Sequence, residues 1–91
     1  MILSLFFISI AGICAPFDAS DCDYTINYYP EFTYAWGKYD PNTKTLYFGG
    51  QYWNKRDCWG QTYWEHEWRH AQYGSFHLNG VQCKLRGMYV P

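Results

Sequence analysis

The chain has 91 residues, of which 23% are aromatic and 16% are charged, and its formal net charge is −1. With so little net charge and no run of Lys or Arg, the chain lacks the electrostatic attraction on which nucleic-acid binding depends, so no nucleic-acid partner is expected. The high aromatic and low charged content excludes a disordered chain. The length allows one small domain, which would gain stability from a disulfide or a metal ion.

The first predicted element is an apolar segment from Ile2 to Cys14. Its length fits the core of a signal peptide better than a membrane span of roughly 20 residues. Gly12 and Cys14 are small enough to precede a cleavage site, so we predict a signal peptide over residues 1–14 and one domain over residues 15–91. The protein is then secreted or extracytoplasmic. Two alternatives remain: an uncleaved anchor, which is the only membrane contact expected, or a strand or helix of the fold.

Cleavage after Cys14 would leave three cysteines, Cys22, Cys58 and Cys83. An oxidising compartment favours one disulfide among them. The sequence does not choose between pairing 22 with 58, 22 with 83, or 58 with 83. The third cysteine is then free, bound to metal or joined to another chain, so an oligomer is possible.

The middle of the chain has the composition of β-strands. Residues 23–29 and 32–39 are rich in Tyr, Thr, Phe and Ile, and Pro30 separates them. Residues 40–44, DPNTK, concentrate turn-forming residues, and β composition resumes over residues 45–53. We therefore predict an antiparallel sheet of about three strands that includes a hairpin.

A helical pattern follows the sheet. Asp57 can cap the amino end of a helix and Gly74 can end it in the left-handed conformation. At 100° per residue this helix has two stripes. The stripe predicted to pack into the core contains Trp64, Trp68 and Ala71, and the stripe predicted to face outward contains Tyr63, His66, His70 and Tyr73. The fold class is therefore α+β, with a small antiparallel sheet packed on one main helix.

The helix carries a candidate metal site. His66 and His70 are four residues apart, so their imidazoles project from the same side of the helix and can bind one metal ion. Glu67 lies about 100° around the helix from His66, where it can reach a metal-bound water without being a ligand. No Asp or Glu follows Glu67, so the downstream candidates for a third ligand are His77 and Cys83.

The residues His66-Glu67-Trp68-Arg69-His70 form the H-E-x-x-H motif of the zincin metallopeptidases. The longer run HEWRHAQYGSFH resembles the metzincin signature H-E-x-x-H-x-x-G-x-x-H. Gly74 to His77 keep the Gly-x-x-His half of that signature. Three residues precede Gly74 where the family has two, which rotates the helix exit by about 100°. Met88 lies where a metzincin has the methionine beneath its metal.

This resemblance implies a small zinc-dependent peptidase that acts on a peptide or protein substrate. In the family pattern His66, His70 and His77 bind Zn²⁺, and Glu67 accepts a proton from the water that attacks the peptide bond. The resemblance also implies that an edge strand above the helix binds the substrate backbone, and residues 45–50 are the sequence candidate.

A non-catalytic function is the alternative. The chain would then be a disulfide-stabilised binding module with a structural metal site, because zinc adds folding energy to a small domain. It could instead present an aromatic face to carbohydrate through Trp36 and Trp53. In the simplest interpretation His66 and His70 are polar residues on a solvated helix face, and His77 is a loop residue without a metal.

Overall fold

The computed structural model describes residues 7–31, 36–50, 56, 59–77, 82–83 and 88–89. The main sheet contains four strands, which are β1 Ile8–Ile13, β2 Tyr24–Tyr29, β3 Trp36–Asp40 and β4 Thr45–Gly49. One helix, α1 Tyr63–Tyr73, packs mainly against β3 and also against β4. A separate two-stranded pair is formed by β5 Gln82–Cys83 and β6 Met88–Tyr89. The predicted α+β class is confirmed, and in the described part of the chain a helix packs on a small sheet as predicted.

The strand order of the main sheet is β1-β2-β4-β3, so β4 lies between β2 and β3. β4 runs parallel to β2 and antiparallel to β3. The prediction of a purely antiparallel sheet is therefore wrong, and so is the prediction that residues 45–50 form the edge strand. The physical reason is burial. Leu46 and Phe48 are at most 1% exposed, and a central strand removes such apolar side chains from water more completely than an edge strand.

The predicted hairpin is present between β3 and β4. Asp40 pairs with Thr45, and residues 41–44 form the turn between them. The Asn42 amide donates to Oδ1 of Asp40 over 3.0 Å, a local bond typical of turns that begin with Asp. The predicted strand residues 32–35 and 51–53 lie outside the described part of the chain.

The apolar amino-terminal segment contributes a strand in this structure. β1 pairs antiparallel with β2 along one edge of the sheet, and a disulfide joins Cys14 to Cys22. This bond differs from the three predicted pairings, which apply to a chain without residues 1–14. In a chain that retains Cys14, the two predicted pairings of Cys22 are wrong. The signal peptide over residues 1–14 stays a prediction. The described residues include no helix long and apolar enough to cross a membrane.

The helix begins at Tyr63, later than predicted, and its amino-terminal cap is Thr62 rather than Asp57. The Glu65 amide donates to Oγ1 of Thr62 over 3.1 Å, and Oε1 of Glu65 accepts from the Thr62 amide and hydroxyl. These hydrogen bonds from Thr62 hold the pKa of the Glu65 carboxyl below its usual value. A reciprocal pair of this kind satisfies two helix-terminal donors, which fixes where the helix starts. Asp57 lies outside the described residues.

One predicted helix face is confirmed and the other is partly wrong. Trp68 is buried in the core, and the other two members of its stripe are partly buried against the same cluster. In the second stripe Tyr63 and His66 are buried, while Tyr73 is 64% exposed. The rings of Trp59, Phe76 and His77 pack against His66, so this part of the supposed outer face is covered. His66 therefore does not belong to a solvated surface.

Candidate metal centre

Three histidine side chains converge on one point. Nε2 of His77 lies 3.0 Å from Nε2 of His66 and 3.0 Å from Nε2 of His70. All three ligand atoms lie within 4.8 Å of one another, so the group could hold a metal ion. An ion bound tetrahedrally by nitrogen at about 2.0–2.1 Å separates its ligand atoms by roughly 3.3 Å, so the observed spacing fits such an ion.

The chain reverses at Gly74, and this reversal brings the third histidine to the site. α1 ends at Tyr73, and Gly74 has φ 72°, a conformation that glycine adopts without a steric penalty. The Gly74 amide donates to the His70 carbonyl over 2.9 Å, which closes the last turn. The extra residue before the glycine is thus accommodated, because the turn returns His77 to the helix face that carries His66 and His70.

The same turn orients one of the three histidines. Nδ1 of His70 lies 2.9 Å from the Gly74 carbonyl oxygen, which can only accept a hydrogen bond. Nδ1 must therefore carry the proton, which leaves the Nε2 lone pair of His70 directed at the other two imidazoles. A hydrogen bond of this kind behind a ligand fixes both its tautomer and its ring orientation.

Glu67 lies on the inner side of the histidine group. Its side chain and that of His66 are both 0% exposed, and Oε2 of Glu67 is 4.0 Å from Nε2 of His66. The carboxylate packs between α1 and β3, next to the backbone of Gly37. A carboxylate in the interior is stabilised by a nearby cation, which a metal held by the adjacent imidazoles would provide.

Two aromatic rings that the sequence did not single out cover the histidines. Trp59 stacks on His66 and His77, with ring centroids 5.6 and 5.2 Å apart. Phe76 contacts His66, His70 and His77, at centroid distances of 4.5 to 5.0 Å. Such an apolar shell limits solvent access to a metal site. Because Phe76 is next to His77 in the sequence, its contact with the histidines could have been predicted. No sequence pattern pointed to Trp59.

Several predicted residues fall outside what the structure describes. This applies to Cys58 and Trp53 as whole residues, and to the side chains of Cys83, Met88 and Trp36. Among the described side chains, His77 lies beside His66 and His70, while the structure says nothing of the Cys83 side chain.

Comparison with known proteins does not extend this description. No protein-family model, no curated protein and no solved structure matches the chain. The fold and the site define a small α+β domain with a disulfide between Cys14 and Cys22 and a three-histidine group that could hold a metal ion.

Proposed function

We propose that this protein is a small exported zinc-dependent peptidase. The observation that carries the proposal is the convergence of three Nε2 atoms beside a buried carboxylate whose Oε2 is 4.0 Å from the nearest of them. Three protein ligands with an open fourth position are the arrangement of catalytic rather than structural zinc. The H-E-x-x-H pattern of residues 66 to 70 supports the same conclusion.

Zinc is the metal we assign to the group formed by His66, His70 and His77. Neutral imidazole suits zinc, and the three rings are held in place by the helix, the Gly74 turn and the aromatic cover. When bound, the ion would supply Lewis acidity and lower the pKa of a coordinated water toward 7.

Glu67 is the residue we assign as the general base. Oε2 of Glu67 lies 4.0 Å from Nε2 of His66, the atom that would bind zinc, so the carboxylate could reach a water that such an ion would hold. From this position the carboxylate can accept a proton from that water and pass it to the leaving amine. Burial of Glu67 also keeps bulk water from competing for the same proton.

The substrate backbone is assigned to the edge strand β3, in place of residues 45–50. β3 pairs with β4 on one side only among the described strands, and α1 packs against it. An extended peptide that adds to β3 would gain main-chain hydrogen bonds and would run past the helix that carries the histidines.

A second candidate function is a non-catalytic module with a structural metal. The full burial of His66 and Glu67 favours it, because a structural zinc site is closed to solvent and adds folding energy to a small domain. His70 and His77 are only partly buried, and this partial exposure favours the catalytic assignment.

Incubation of the zinc-loaded chain with a mixture of peptides of diverse sequence tests the proposal. Mass spectrometry should detect new peptide termini, and a chelator should stop their formation until zinc is restored. The His66→Ala variant, purified in parallel, controls for contaminating peptidases. A chain that holds one zinc but produces no new termini would support the structural module instead.

Two features support the proposed export, the apolar amino-terminal segment and the disulfide. The Cys14–Cys22 bond fits an oxidising compartment. The intact mass of the exported chain shows whether residues 1–14 are retained with this bond or removed.

A further inference from the structure

Gly37, in strand β3, lies against the Glu67 side chain. A Cβ placed on Gly37 would lie 2.8 Å from Cγ, 2.9 Å from Oε2 and 3.2 Å from Cδ of Glu67. Separations below 3.0 Å are not tolerated between such atoms, so any side chain at position 37 would displace the glutamate. The backbone of Gly37 is held in the sheet by its pairing with Phe48.

The need for glycine at this position is therefore steric. Gly37 does not have the positive φ that is found at Gly12, Gly60 and Gly74, where an added Cβ would meet nothing within 4 Å. Its strand conformation is one that alanine also adopts, and alanine in a strand interior is ordinarily more favourable than glycine. A side chain at position 37 would occupy the space that the Glu67 carboxylate fills.

We propose that Gly37 is a positioning residue, which acts by leaving a slot in β3 that seats the Glu67 carboxylate beside His66. The backbone of Gly37 belongs to a paired strand, so it has little freedom to move away from the carboxylate. With the slot open, Oε2 of Glu67 lies 4.0 Å from Nε2 of His66. With a methyl group in the slot, the carboxylate must shift away from Gly37. The catalytic consequence rests on the proposed peptidase function, whereas the steric consequence does not.

A double-mutant cycle on stability tests the steric part. Gly37→Ala alone should lower the melting temperature by at least about 4 °C, the effect of modest overpacking in a domain of this size. In a Glu67→Ala background the same substitution should cost nothing, because the atoms that it would strike are gone. If Gly37→Ala fails to fold, the Gly37→Ala/Glu67→Ala chain should recover folding.

The matched control is Lys38→Ala, on the exposed neighbouring position of the same strand. It should change the melting temperature equally little in both backgrounds. The proposal is overturned if Gly37→Ala costs the same with and without the Glu67 side chain, or if the double variant also fails to fold.

Turnover separates positioning from general destabilisation. In folded Gly37→Ala the chain should still bind one zinc, because the substitution contacts none of the three histidines, while kcat should fall by about 10²-fold with little change in KM. An unchanged kcat in Gly37→Ala contradicts positioning. If the wild-type chain has no turnover, the peptidase proposal is wrong. The double-mutant cycle on stability then still tests whether Gly37 makes room for the Glu67 side chain.

Discussion

His77→Ala should lose nearly all of the stabilisation that zinc gives to the wild-type chain. At a free zinc concentration 100 times the dissociation constant, binding to the folded state adds about 2.7 kcal/mol to the free energy of unfolding. In a domain of this length that corresponds to a rise in melting temperature of about 10–20 °C. Removal of one of three ligands from the group of His66, His70 and His77 should abolish most of this rise.

His77 is the best of the three ligands for this experiment because its side chain is only partly buried in the loop after Gly74, whereas His66 is buried in the fold. Without zinc the variant should therefore unfold close to the wild-type temperature. Thermal unfolding with and without zinc, together with calorimetric titration, measures both quantities. Ser75→Ala is the matched control in the same loop and should keep the full response to zinc. An equal zinc response in His77→Ala and wild type would contradict the three-histidine site.

Glu67→Gln should retain zinc and lose turnover. Glutamine has nearly the volume of glutamate and fits the slot at Gly37, so the fold and the three ligands should be preserved. The amide cannot accept the proton from water, and loss of a general base of this kind lowers kcat by about 10²–10⁴-fold. Parallel measurement of zinc content and peptide hydrolysis gives the result.

The control for this prediction is Glu65→Gln, which makes the same chemical change two residues away. Glu65 is exposed and belongs to the helix cap, where glutamine can replace glutamate. It should leave both zinc affinity and kcat close to wild type. Glu67→Gln with undiminished hydrolysis would show that Glu67 is not the base, and a loss of zinc in the same variant would assign the carboxylate a role in holding the metal.

Local patterns predicted much of the site. The spacing of His66 and His70 follows from the helical repeat alone. Gly74 ends the helix as predicted, although its φ of 72° and ψ of −138° differ from the expected left-handed helical conformation and lie in a region that favours glycine. The turn at residues 40–44 was equally local. The start of the helix was missed because Asp57 and Thr62 are both acceptable caps, and the choice between them depends on the reciprocal bonds with Glu65.

Long-range packing accounts for what the sequence did not predict. The helical repeat predicts the angle between the side-chain directions of Trp68 and His66 around the helix axis, but it does not predict which part of the chain packs against each face. That β4 occupies the centre of the sheet, and that β3 therefore lies against the helix, depends on how Leu46 and Phe48 are buried by residues distant in sequence. The burial of Glu67 against Gly37 follows from that arrangement, and so does the need for glycine there.

X-ray absorption spectroscopy at the zinc edge tests the central claim most directly. The account predicts one zinc per chain with three imidazole nitrogen ligands at about 2.0–2.1 Å and a fourth, oxygen ligand from solvent. A sulfur ligand at about 2.3 Å, or four protein ligands of any kind, would contradict it.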